Sequence, residues 1–297
     1  MTIEPTSPRR RAGAAPTDVD ARLREHVDRL GEQHPPIELD SVDYTVQDAA
    51  LLDARFGGVL DYMARVELEV DRNVLELLTL LPDPPEVDRH FYADVWQPQE
   101  IRHGIILDTL QTEIGRAPAV TDTDSVGVKL KVLGGLAHLG SFQDVCRMLY
   151  YLTGMSTERS AVLAYNALHS GLLDLGEDAV ARTVVAPIRR QEPGHFAFYQ
   201  LSARGLWAQL APWQQWMVRR MRTISYGPVG VNNDEQHADF GEVVDALGLR
   251  DGIEEFAAEV TRVERELLWA REDGLPVPAY VVDAFRRAVE LADERAA

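Results

Sequence analysis

Apolar residues recur every three or four positions over most of this chain, from Asp18 onward. That spacing places them on one face of a helix, whereas the alternation of Val, Ile and Thr that is typical of strands is scarce. Gly and Pro interrupt the pattern, most clearly in the segment 81–85, and mark helix ends. The sequence therefore predicts an all-α protein. The predicted helices cover residues 18–33, 46–81, 88–114, 124–153, 156–172, 176–204, 206–224, 235–247, 251–272 and 277–295.

Residues 1–17 have neither this periodicity nor apolar bulk, so they are predicted to form an unfolded N-terminal tail. A length of 297 residues would suffice for two domains of about 150 residues each. A helical bundle with appended helices can also fill this length as one unit. We therefore expect a single helical domain over residues 18–297.

The chain is strongly acidic, because its 30 Lys and Arg residues stand against 48 Asp and Glu residues, a formal net charge of −18. This charge disfavours binding to nucleic acids or anionic membranes, since no net positive charge can replace their counterions. No stretch approaches the ~18 consecutive apolar residues of a membrane span, and no apolar signal segment follows Arg9–Arg11. The prediction is a cytoplasmic protein. The single cysteine, Cys146, cannot form an internal disulfide.

Two of the eight histidines follow a glutamate by three residues, in the ExxH motifs Glu100–His103 and Glu192–His195. Residues three apart share one face of a helix. Each motif is preceded by a glutamate on an apolar helix: Glu67 lies 33 residues before Glu100, and Glu158 lies 34 residues before Glu192. The order Glu, ExxH, Glu, ExxH is typical of a bundle in which four helices point metal ligands inward.

Two glutamates, Glu67 and Glu69, precede the first motif at a suitable distance, and their helical neighbours distinguish them. Glu67 shares its face with apolar residues, which predicts a buried side chain. Glu69 shares its face with polar residues, which predicts a solvated one. Glu67 is therefore the predicted ligand and Glu69 the reserve. The neighbours of Glu67 are Met63, Val66, Val70 and Val74, and those of Glu69 are Arg65, Arg72, Asn73 and Glu76.

Charge arithmetic explains why these residue types belong together, since two divalent metal ions neutralise four carboxylates beside two neutral imidazoles. Without metal, each buried carboxylate would incur a desolvation cost of several kcal/mol or take up a proton. An oxygen-rich set with one histidine per metal suits iron or manganese, at one or both positions, better than zinc or copper, and the ligand types do not choose between the two. The simpler hypothesis is that Glu67 and Glu158 are exposed and that His103 and His195 are ordinary polar residues.

The segment Trp96–Gly104 (WQPQEIRHG) resembles the Trp-x-x-Glu-Glu-x-Arg-His-Gly segment of the soluble acyl-acyl-carrier-protein desaturases, which are ferritin-like di-iron enzymes. Thr157–Arg159 is similar to the Gln-Glu-Arg segment of that family at its third ligand. The segments 221–225 and 233–248 are similar to the region after its second ExxH motif. The resemblance spans roughly residues 60–250 and is specific because several segments match in order.

The resemblance implies a homodimeric, ferritin-like four-helix bundle with additional flanking helices, with the metal-site core at about residues 57–204. Its two irons would activate O2, after reduction by a ferredoxin-type donor, to remove hydrogens from an acyl chain. Glu100 and Glu192 would bridge the two metals, and Trp96 would lie close to the ligands. The six implied ligands are Glu67, Glu100, His103, Glu158, Glu192 and His195.

Three positions depart from the family pattern. Gln191 stands where the family has an acidic residue that orients a ligand histidine, which alters redox tuning. Ala161 replaces a threonine near the O2 site and cannot donate a proton. Pro193 lies inside the second ExxH motif, where it removes a helical hydrogen bond at a cost of ~3 kcal/mol. A local kink or π-bulge is therefore predicted at Pro193.

The leading functional prediction is oxidation of an acyl chain, carried as a thioester on an acyl carrier protein. An acidic carrier would need a basic surface on this acidic chain, for which Arg219, Arg220 and Arg222 are the candidates. The alternative for these arginines is a solvated helix face balanced by acids. Two other functions stay open: hydroxylation or N-oxygenation of a small metabolite at the same di-metal site, and a non-catalytic ferritin-like metal-binding protein.

Overall fold

A computed structural model describes residues 18–81, 83–121, 140–270 and 274–297 of the chain. These residues form helices and no strand, which confirms the all-α prediction. The predicted tail 1–17 lies outside the described residues. The α-helices are α1 (Asp18–Gln33), α2 (Ala49–Leu68), α3 (Val70–Leu80), α4 (Glu86–His90), α5 (Gln97–Glu113), α6 (Gly140–Asp174), α7 (Ala186–Trp207), α8 (Pro212–Ser225), α9 (Asp234–Ala246), α10 (Ile253–Val260), α11 (Arg262–Leu268) and α12 (Ala279–Ala296).

Two helix pairs form the centre of the bundle, with α2 packed on α5 and α6 packed on α7. Their buried apolar residues fall into two clusters. Each of the four central helical stretches, which are α2 continued by α3, residues 91–113, α6 and α7, passes from one cluster to the other. The predicted ligands lie where each stretch passes between the clusters, so their polar side chains separate the two clusters. The residues that flank these positions are Met63 and Val70, Trp96 and Ile106, Met155 and Tyr165, and Ile188 and Phe198.

Two predicted helices contain breaks that the apolar periodicity does not reveal. The predicted helix 46–81 is divided at Glu69, between α2 and α3. The predicted helix 88–114 contains a π-helical segment at Phe91–Trp96, directly before α5. A second π-helical segment, Val180–Val185, precedes α7. Both ExxH motifs thus follow a π-helical segment, a feature that is frequent near functional sites.

Helix α6 corrects the predicted break at residues 153–156, because it continues through Gly154 without interruption. The part of the predicted helix that covers residues 124–139 lies outside the described residues. Glycine at position 154 serves packing instead of termination, since a Cβ there would overlap the ring of Tyr199 on α7. Glu158 therefore lies in the interior of one long helix, one turn after this close contact.

The prediction of a π-bulge at Pro193 is wrong, because α7 is α-helical from Ala186 to Trp207. Helix α1 covers this turn of α7. The side chain of Leu30 occupies the space that a Cβ at Gly194 would fill, and Nε2 of His26 lies 2.9 Å from the Gly194 carbonyl oxygen. Contacts with α1 thus stabilise the turn where the proline ring removes a backbone hydrogen bond.

Flanking helices pack against the central pairs at both apolar clusters, with α1 and α8 contributing to the second. Helix α12 packs on α9, and α9 packs on α2, so these helices extend the first apolar cluster. The predicted helix 251–272 is divided at Thr261 into α10 and α11. Within the described ranges, no helix combines the length and the apolar character that crossing a bilayer would require.

Candidate metal centre

The six predicted ligands lie together in the interior of the bundle. Each side chain belongs to a residue that is at most 8% exposed, and His103 and His195 are fully buried. The alternative that Glu67 and Glu158 are exposed is therefore wrong. Their ligand atoms form two groups, within each of which all atoms lie within 4.8 Å of one another. The first group is Glu67, Glu100, His103 and Glu192, and the second is Glu100, Glu158, Glu192 and His195.

Glu100 and Glu192 belong to both groups, and their oxygens point to opposite sides. In Glu100, Oε1 lies 2.8 Å from Nδ1 of His195, and Oε2 lies 3.6 Å from Nδ1 of His103. In Glu192, Oε1 lies 3.2 Å from Nδ1 of His103, and Oε2 lies 3.8 Å from Nδ1 of His195. Each carboxylate therefore offers one oxygen to each group, which is the arrangement of a bridging ligand.

Glu67 and Glu158 each offer one oxygen to a single group. Oε2 of Glu67 lies 3.9 Å from Nδ1 of His103, and Oε2 of Glu158 lies 3.7 Å from Nδ1 of His195. Their other oxygens accept hydrogen bonds from aromatic side chains. The hydroxyl of Tyr165 donates to Oε1 of Glu67 at 2.5 Å, and Nε1 of Trp96 donates to Oε1 of Glu158 at 3.2 Å. This leaves one free oxygen on each terminal carboxylate.

Two glutamines hold the outer nitrogens of the histidines, and each comes from the opposite motif. Nε2 of His103 lies 2.6 Å from Oε1 of Gln191, and Nε2 of His195 lies 2.6 Å from Oε1 of Gln99. Nε2 of Gln99 donates to the His34 carbonyl at 2.5 Å, and Nε2 of Gln191 donates to the Pro35 carbonyl at 2.8 Å. The segment after α1 thus anchors both glutamines.

These anchors determine which nitrogen of each imidazole carries the proton. A backbone carbonyl is a hydrogen-bond acceptor, so the side-chain atom of Gln99 or Gln191 that faces it must be the amide nitrogen. The amide oxygen of each glutamine therefore faces its histidine. Nε2 of each histidine therefore donates. In the neutral imidazole, this leaves the lone pair on Nδ1, and both Nδ1 atoms point toward the carboxylates.

The residues fit a pair of divalent metal ions by a further criterion. Four buried polar atoms of the cluster have no hydrogen-bond partner among the residues that the structure describes, namely Oε1 of Glu100 and of Glu192 and Nδ1 of His103 and of His195. Unpartnered buried polar atoms are rare in folded proteins because each costs about 1–3 kcal/mol. These four are the same atoms that point at the two groups, so a cation at each group would satisfy them.

The pKa values of several residues in the cluster are raised, which favours bound protons or other positive charge at the site. Burial raises the pKa of Glu158 to about 8, and burial together with repulsion from Glu100 raises the pKa of Glu67 well above its ordinary value. Burial by itself lowers the pKa of His103, but the nearby carboxylates of Glu100 and Glu192 outweigh this effect and raise the pKa to about 9. Near pH 7 the metal-free cluster therefore retains protons that metal ions would displace.

Glu69, the reserve ligand, lies outside both groups, and its predicted solvated face is wrong. Its side chain is buried between two arginines: Nη2 of Arg72 lies 2.6 Å from Oε2, and Nη1 of Arg65 lies 3.3 Å from the same atom. Arg65 also donates to the Gly230 carbonyl at 3.1 Å. Polar neighbours in the sequence indicated solvent, but they pair with one another inside the protein.

The three arginines predicted to bind a carrier protein occupy different environments. Arg222 is 1% exposed, and its Nη2 lies 2.9 Å from Oε2 of Glu264, so the prediction of a surface role for Arg222 is wrong. Arg219 is half-buried against the ring of Trp207 and donates to the Leu268 carbonyl at 2.7 Å. Arg220 lies exposed on α8. The three arginines therefore differ in exposure, because the side chain of Arg222 lies on the buried face of α8.

Two residues beside the cluster escaped the sequence analysis. Gln99 precedes Glu100 as Gln191 precedes Glu192, so the repeated pattern Gln-Glu-x-x-His was a readable signal. Tyr165 gave no such signal, because it contacts Glu67 on a different helix, 98 residues earlier in the chain. Sequence spacing identifies ligands on one helix, but contacts between helices depend on how the helices pack.

Two cavities reach the cluster, one at Glu67 and the other at Glu158. An apolar cavity of about 50 Å³ touches Glu67 and is lined by residues of α2, α6, α9 and α10, among them Ala161, Tyr165 and Leu247. A more polar cleft of about 250 Å³ reaches Glu158 and is lined by Trp96, Tyr199 and the segment 227–232. Ala161 and Glu67 thus line the same cavity.

Comparison with known proteins finds no matching protein family, curated protein or solved structure.

Proposed function

We propose that this protein is a ferritin-like, O2-activating di-metal oxidase that removes hydrogens from an acyl chain. Two iron ions are the proposed cofactor, with manganese at one or both positions as the alternative. The observation that carries the proposal is the pair of ligand groups that share Glu100 and Glu192. A single metal site does not need two buried carboxylates whose oxygens point to opposite sides.

The proposed ligands divide evenly between the two metals. Glu67 and His103 would hold one ion, Glu158 and His195 would hold the other, and Glu100 and Glu192 would bridge them. Four carboxylates and two neutral imidazoles balance two divalent ions, which removes the cost of burying uncompensated charge. When bound and reduced by an electron donor of the ferredoxin type, such a metal pair supplies the electrons that activate O2.

The remaining residues of the site prepare the ligands and exclude water. Gln99 and Gln191 orient the imidazoles so that Nδ1 faces inward. Tyr165 and Trp96 each occupy one oxygen of a terminal carboxylate, which leaves a single oxygen for a metal. The two apolar clusters enclose the site on both sides, so the reaction would take place away from bulk solvent.

The apolar cavity beside Glu67 favours an acyl substrate. Its walls are almost wholly apolar, and Ala161 and Tyr165 bring it next to the ligands. Its volume of about 50 Å³ corresponds to about four water-sized probes at ~10–15 Å³ each. A longer acyl chain would therefore extend the cavity by moving the side chains at its far end. A homodimer that receives the chain from an acidic carrier protein is the assembly we propose, with Arg219 and Arg220 as the remaining docking residues.

The cleft beside Glu158 supports a second candidate, hydroxylation or N-oxygenation of a small metabolite. Its lining includes Arg72, Thr157 and Asn232, so it offers polar contacts that the other cavity lacks. Its volume of about 250 Å³ is also larger. Gln191 and Ala161, which depart from the desaturase pattern, also favour a reaction other than desaturation. The two candidates differ in which cavity holds the substrate, and this difference can be tested.

The first experiment measures metal content and O2 consumption of the purified full-length protein. We expect about two iron ions per chain after anaerobic loading with Fe(II), and O2 consumption after exposure to air. Glu100→Ala removes a bridging ligand and should abolish both. Glu113→Ala, at the exposed end of the same helix, is the matched control and should change neither. A protein that binds little metal, and whose stability does not respond to chelation, would exclude the di-metal proposal.

The second experiment separates the candidates. Loaded, reduced protein is incubated with O2 and either acyl thioesters or small amines, and the products are identified by mass spectrometry. Loss of two hydrogens from the acyl chain supports the desaturase-like function, whereas gain of one oxygen by a metabolite supports the second candidate. Metal binding without turnover of either substrate class would favour a non-catalytic metal-binding protein.

A further inference from the structure

Asp88 and Tyr151 form a buried pair outside the proposed metal centre. Asp88 is 0% exposed and Tyr151 is 3% exposed. The hydroxyl of Tyr151 donates to Oδ2 of Asp88 at 2.5 Å, and Oδ1 of Asp88 has no hydrogen-bond partner within the described part of the chain. A buried carboxylate is costly unless it has a role or full compensation. The proposed metal chemistry described so far makes no use of this pair.

A continuous series of aromatic rings joins Tyr151 to the metal centre. The ring of Tyr151 lies 6.5 Å from that of Phe198, measured between centroids. Phe198 stacks on Phe91 at 3.6 Å with nearly parallel rings, and Phe91 lies 6.2 Å from the imidazole of His195, a proposed ligand. These rings are buried and belong to one apolar cluster, so no solvent interrupts the series.

A second branch runs through oxidisable side chains. Trp96, which donates to the ligand Glu158, lies 5.7 Å from Tyr92, and Tyr92 lies 5.9 Å from Phe198. Both branches therefore meet at Phe198, next to Tyr151. Close aromatic contacts of this kind pack the core, and they also place π-systems in succession between the ligands and one tyrosine.

Tyr151 also borders a pocket whose lining includes none of the proposed metal ligands. This pocket has a volume of about 390 Å³ and lies between α1, α4, α6 and α7. Its lining includes Asp88, Tyr151, Arg147 and Ser202, together with Arg24 and Glu86, which are exposed. A small polar molecule that enters from the surface can therefore approach Tyr151 without passing the metal ligands.

We propose that Tyr151 is a redox-active tyrosine that donates one electron to the oxidised metal pair, with Asp88 as its proton acceptor. The proposal rests on the proposed di-metal function. The electron leaves the phenol through the aromatic series, and the phenolic proton moves to Oδ2 of Asp88, which leaves a neutral phenoxyl radical and a neutral carboxylic acid. A soluble one-electron reductant of the ascorbate class, reaching the pocket, then returns the electron, and the proton moves back to the phenoxyl oxygen.

The geometry suits proton transfer, because the two oxygens lie within hydrogen-bond reach. Burial raises the pKa of Asp88 to about 6. The carboxylate is therefore ionised at pH 7 but binds a proton more readily than an ordinary aspartate. Such a pair would allow the protein to survive reduction of O2 in the absence of substrate, because oxidation passes to a tyrosine that can be restored and not to the metal ligands.

The test uses full-length protein that contains ring-deuterated tyrosine, loaded with Fe(II), exposed to O2 without substrate and freeze-quenched for electron paramagnetic resonance. We expect a radical signal whose hyperfine structure changes on deuteration, which assigns it to tyrosine. Tyr151→Phe should remove the signal. Asp88→Asn keeps the shape of the acceptor but cannot take the proton, and it should also remove most of the signal. Addition of ascorbate should shorten the lifetime of the wild-type signal.

The pair Tyr280 and Glu264 provides a matched control, because the Tyr280 hydroxyl donates to that carboxylate away from the aromatic series. Tyr280→Phe should leave the signal unchanged. Iron content and O2 consumption are measured on the same samples. A wild-type protein that neither binds iron nor consumes O2 would exclude the di-metal function itself. Normal iron and O2 consumption, combined with no tyrosyl signal or with an undiminished signal in Tyr151→Phe, would overturn the proposal for Tyr151 alone.

Discussion

Oε1 of Gln99 lies 2.6 Å from Nε2 of His195, so the first ExxH motif orients the histidine of the second. Gln191 does the same for His103 in the opposite direction. Because the amide nitrogens of both glutamines donate to carbonyls of residues 34 and 35, one short segment controls both imidazoles. This crossed arrangement keeps Nδ1 of each histidine available without placing another negative charge behind it.

Replacing the crossed glutamines should weaken metal binding more than it weakens the fold. Gln99→Leu and Gln191→Leu each remove the acceptor of one imidazole, and loss of such partners costs about 10–100-fold in metal affinity. Competition with a chelator would measure the change. Gln97→Leu, on the same helix but bound to Asp71 at the surface, is the control and should bind metal normally. Equal metal affinity in all three variants would contradict the orienting role.

The stability of the metal-free protein should fall as pH rises from about 5 to 9. Burial raises the pKa of Glu158 to about 8. Burial lowers the pKa of His103, but the nearby carboxylates of Glu100 and Glu192 outweigh this effect and raise it to about 9. The folded state therefore binds more protons than the unfolded state in this range, so its free energy of unfolding decreases with pH. Against the effect of burial, contacts with other groups of the cluster lower the pKa values of Glu100 and Glu192. These two carboxylates therefore influence the free energy of unfolding only at pH values below about 4.5.

Bound metal should reverse this trend, because the ligands bind metal only after losing their protons and metal affinity rises with pH. Thermal unfolding of the metal-free and loaded protein at several pH values would measure the effect. We expect the difference between their melting temperatures to widen by several degrees from pH 6 to pH 9. Glu158→Gln should flatten the decline of the metal-free protein. A melting temperature of the metal-free protein that rises over this range would contradict the assignment of retained protons.

The sequence was sufficient to predict the six clustered residues because each constraint acted within one helix. The spacing of Glu100 and His103 places both on one face, and the apolar neighbours of Glu67 predict its burial. The predicted ligands are indeed buried together in two groups. Local periodicity therefore carries most of the information about which side chains face the interior of a helical bundle.

The sequence failed where a residue's environment depends on another helix. Polar neighbours indicated that Glu69 is solvated, but Arg65 and Arg72 pair with it inside the protein. Gly154 indicated a helix end, but the glycine instead makes room for Tyr199. Pro193 indicated a kink or a π-bulge, but α7 is α-helical through this position, where contacts from α1 pack against the turn. These outcomes follow from packing free energies, which a single sequence does not display.

The close contact at Gly154 predicts a marked difference between two glycines. Gly154→Ala would place a Cβ against the ring of Tyr199, and such overpacking typically costs about 1–3 kcal/mol. Gly58 lies exposed within α2, and an added Cβ would meet no atom of the described residues within 4 Å beyond its own helix turn. Gly58→Ala should therefore stabilise the protein by roughly 0.5–1 kcal/mol through helix propensity. Chemical denaturation of both variants would measure these changes, and a stabilising Gly154→Ala would contradict the packing described here.

The apolar cavity predicts how substrate length can be altered, if the acyl-chain function holds. Leu247 lines this cavity together with Glu67 and Tyr165, so Leu247→Ala removes a wall without touching a proposed ligand. The variant should accept acyl chains that are a few carbons longer, and product analysis across a series of thioesters would reveal the shift. Leu268→Ala, in the other apolar cluster, loses similar packing and controls for destabilisation. An unchanged length preference in Leu247→Ala, with full metal content, would indicate that the substrate instead enters the cleft beside Glu158.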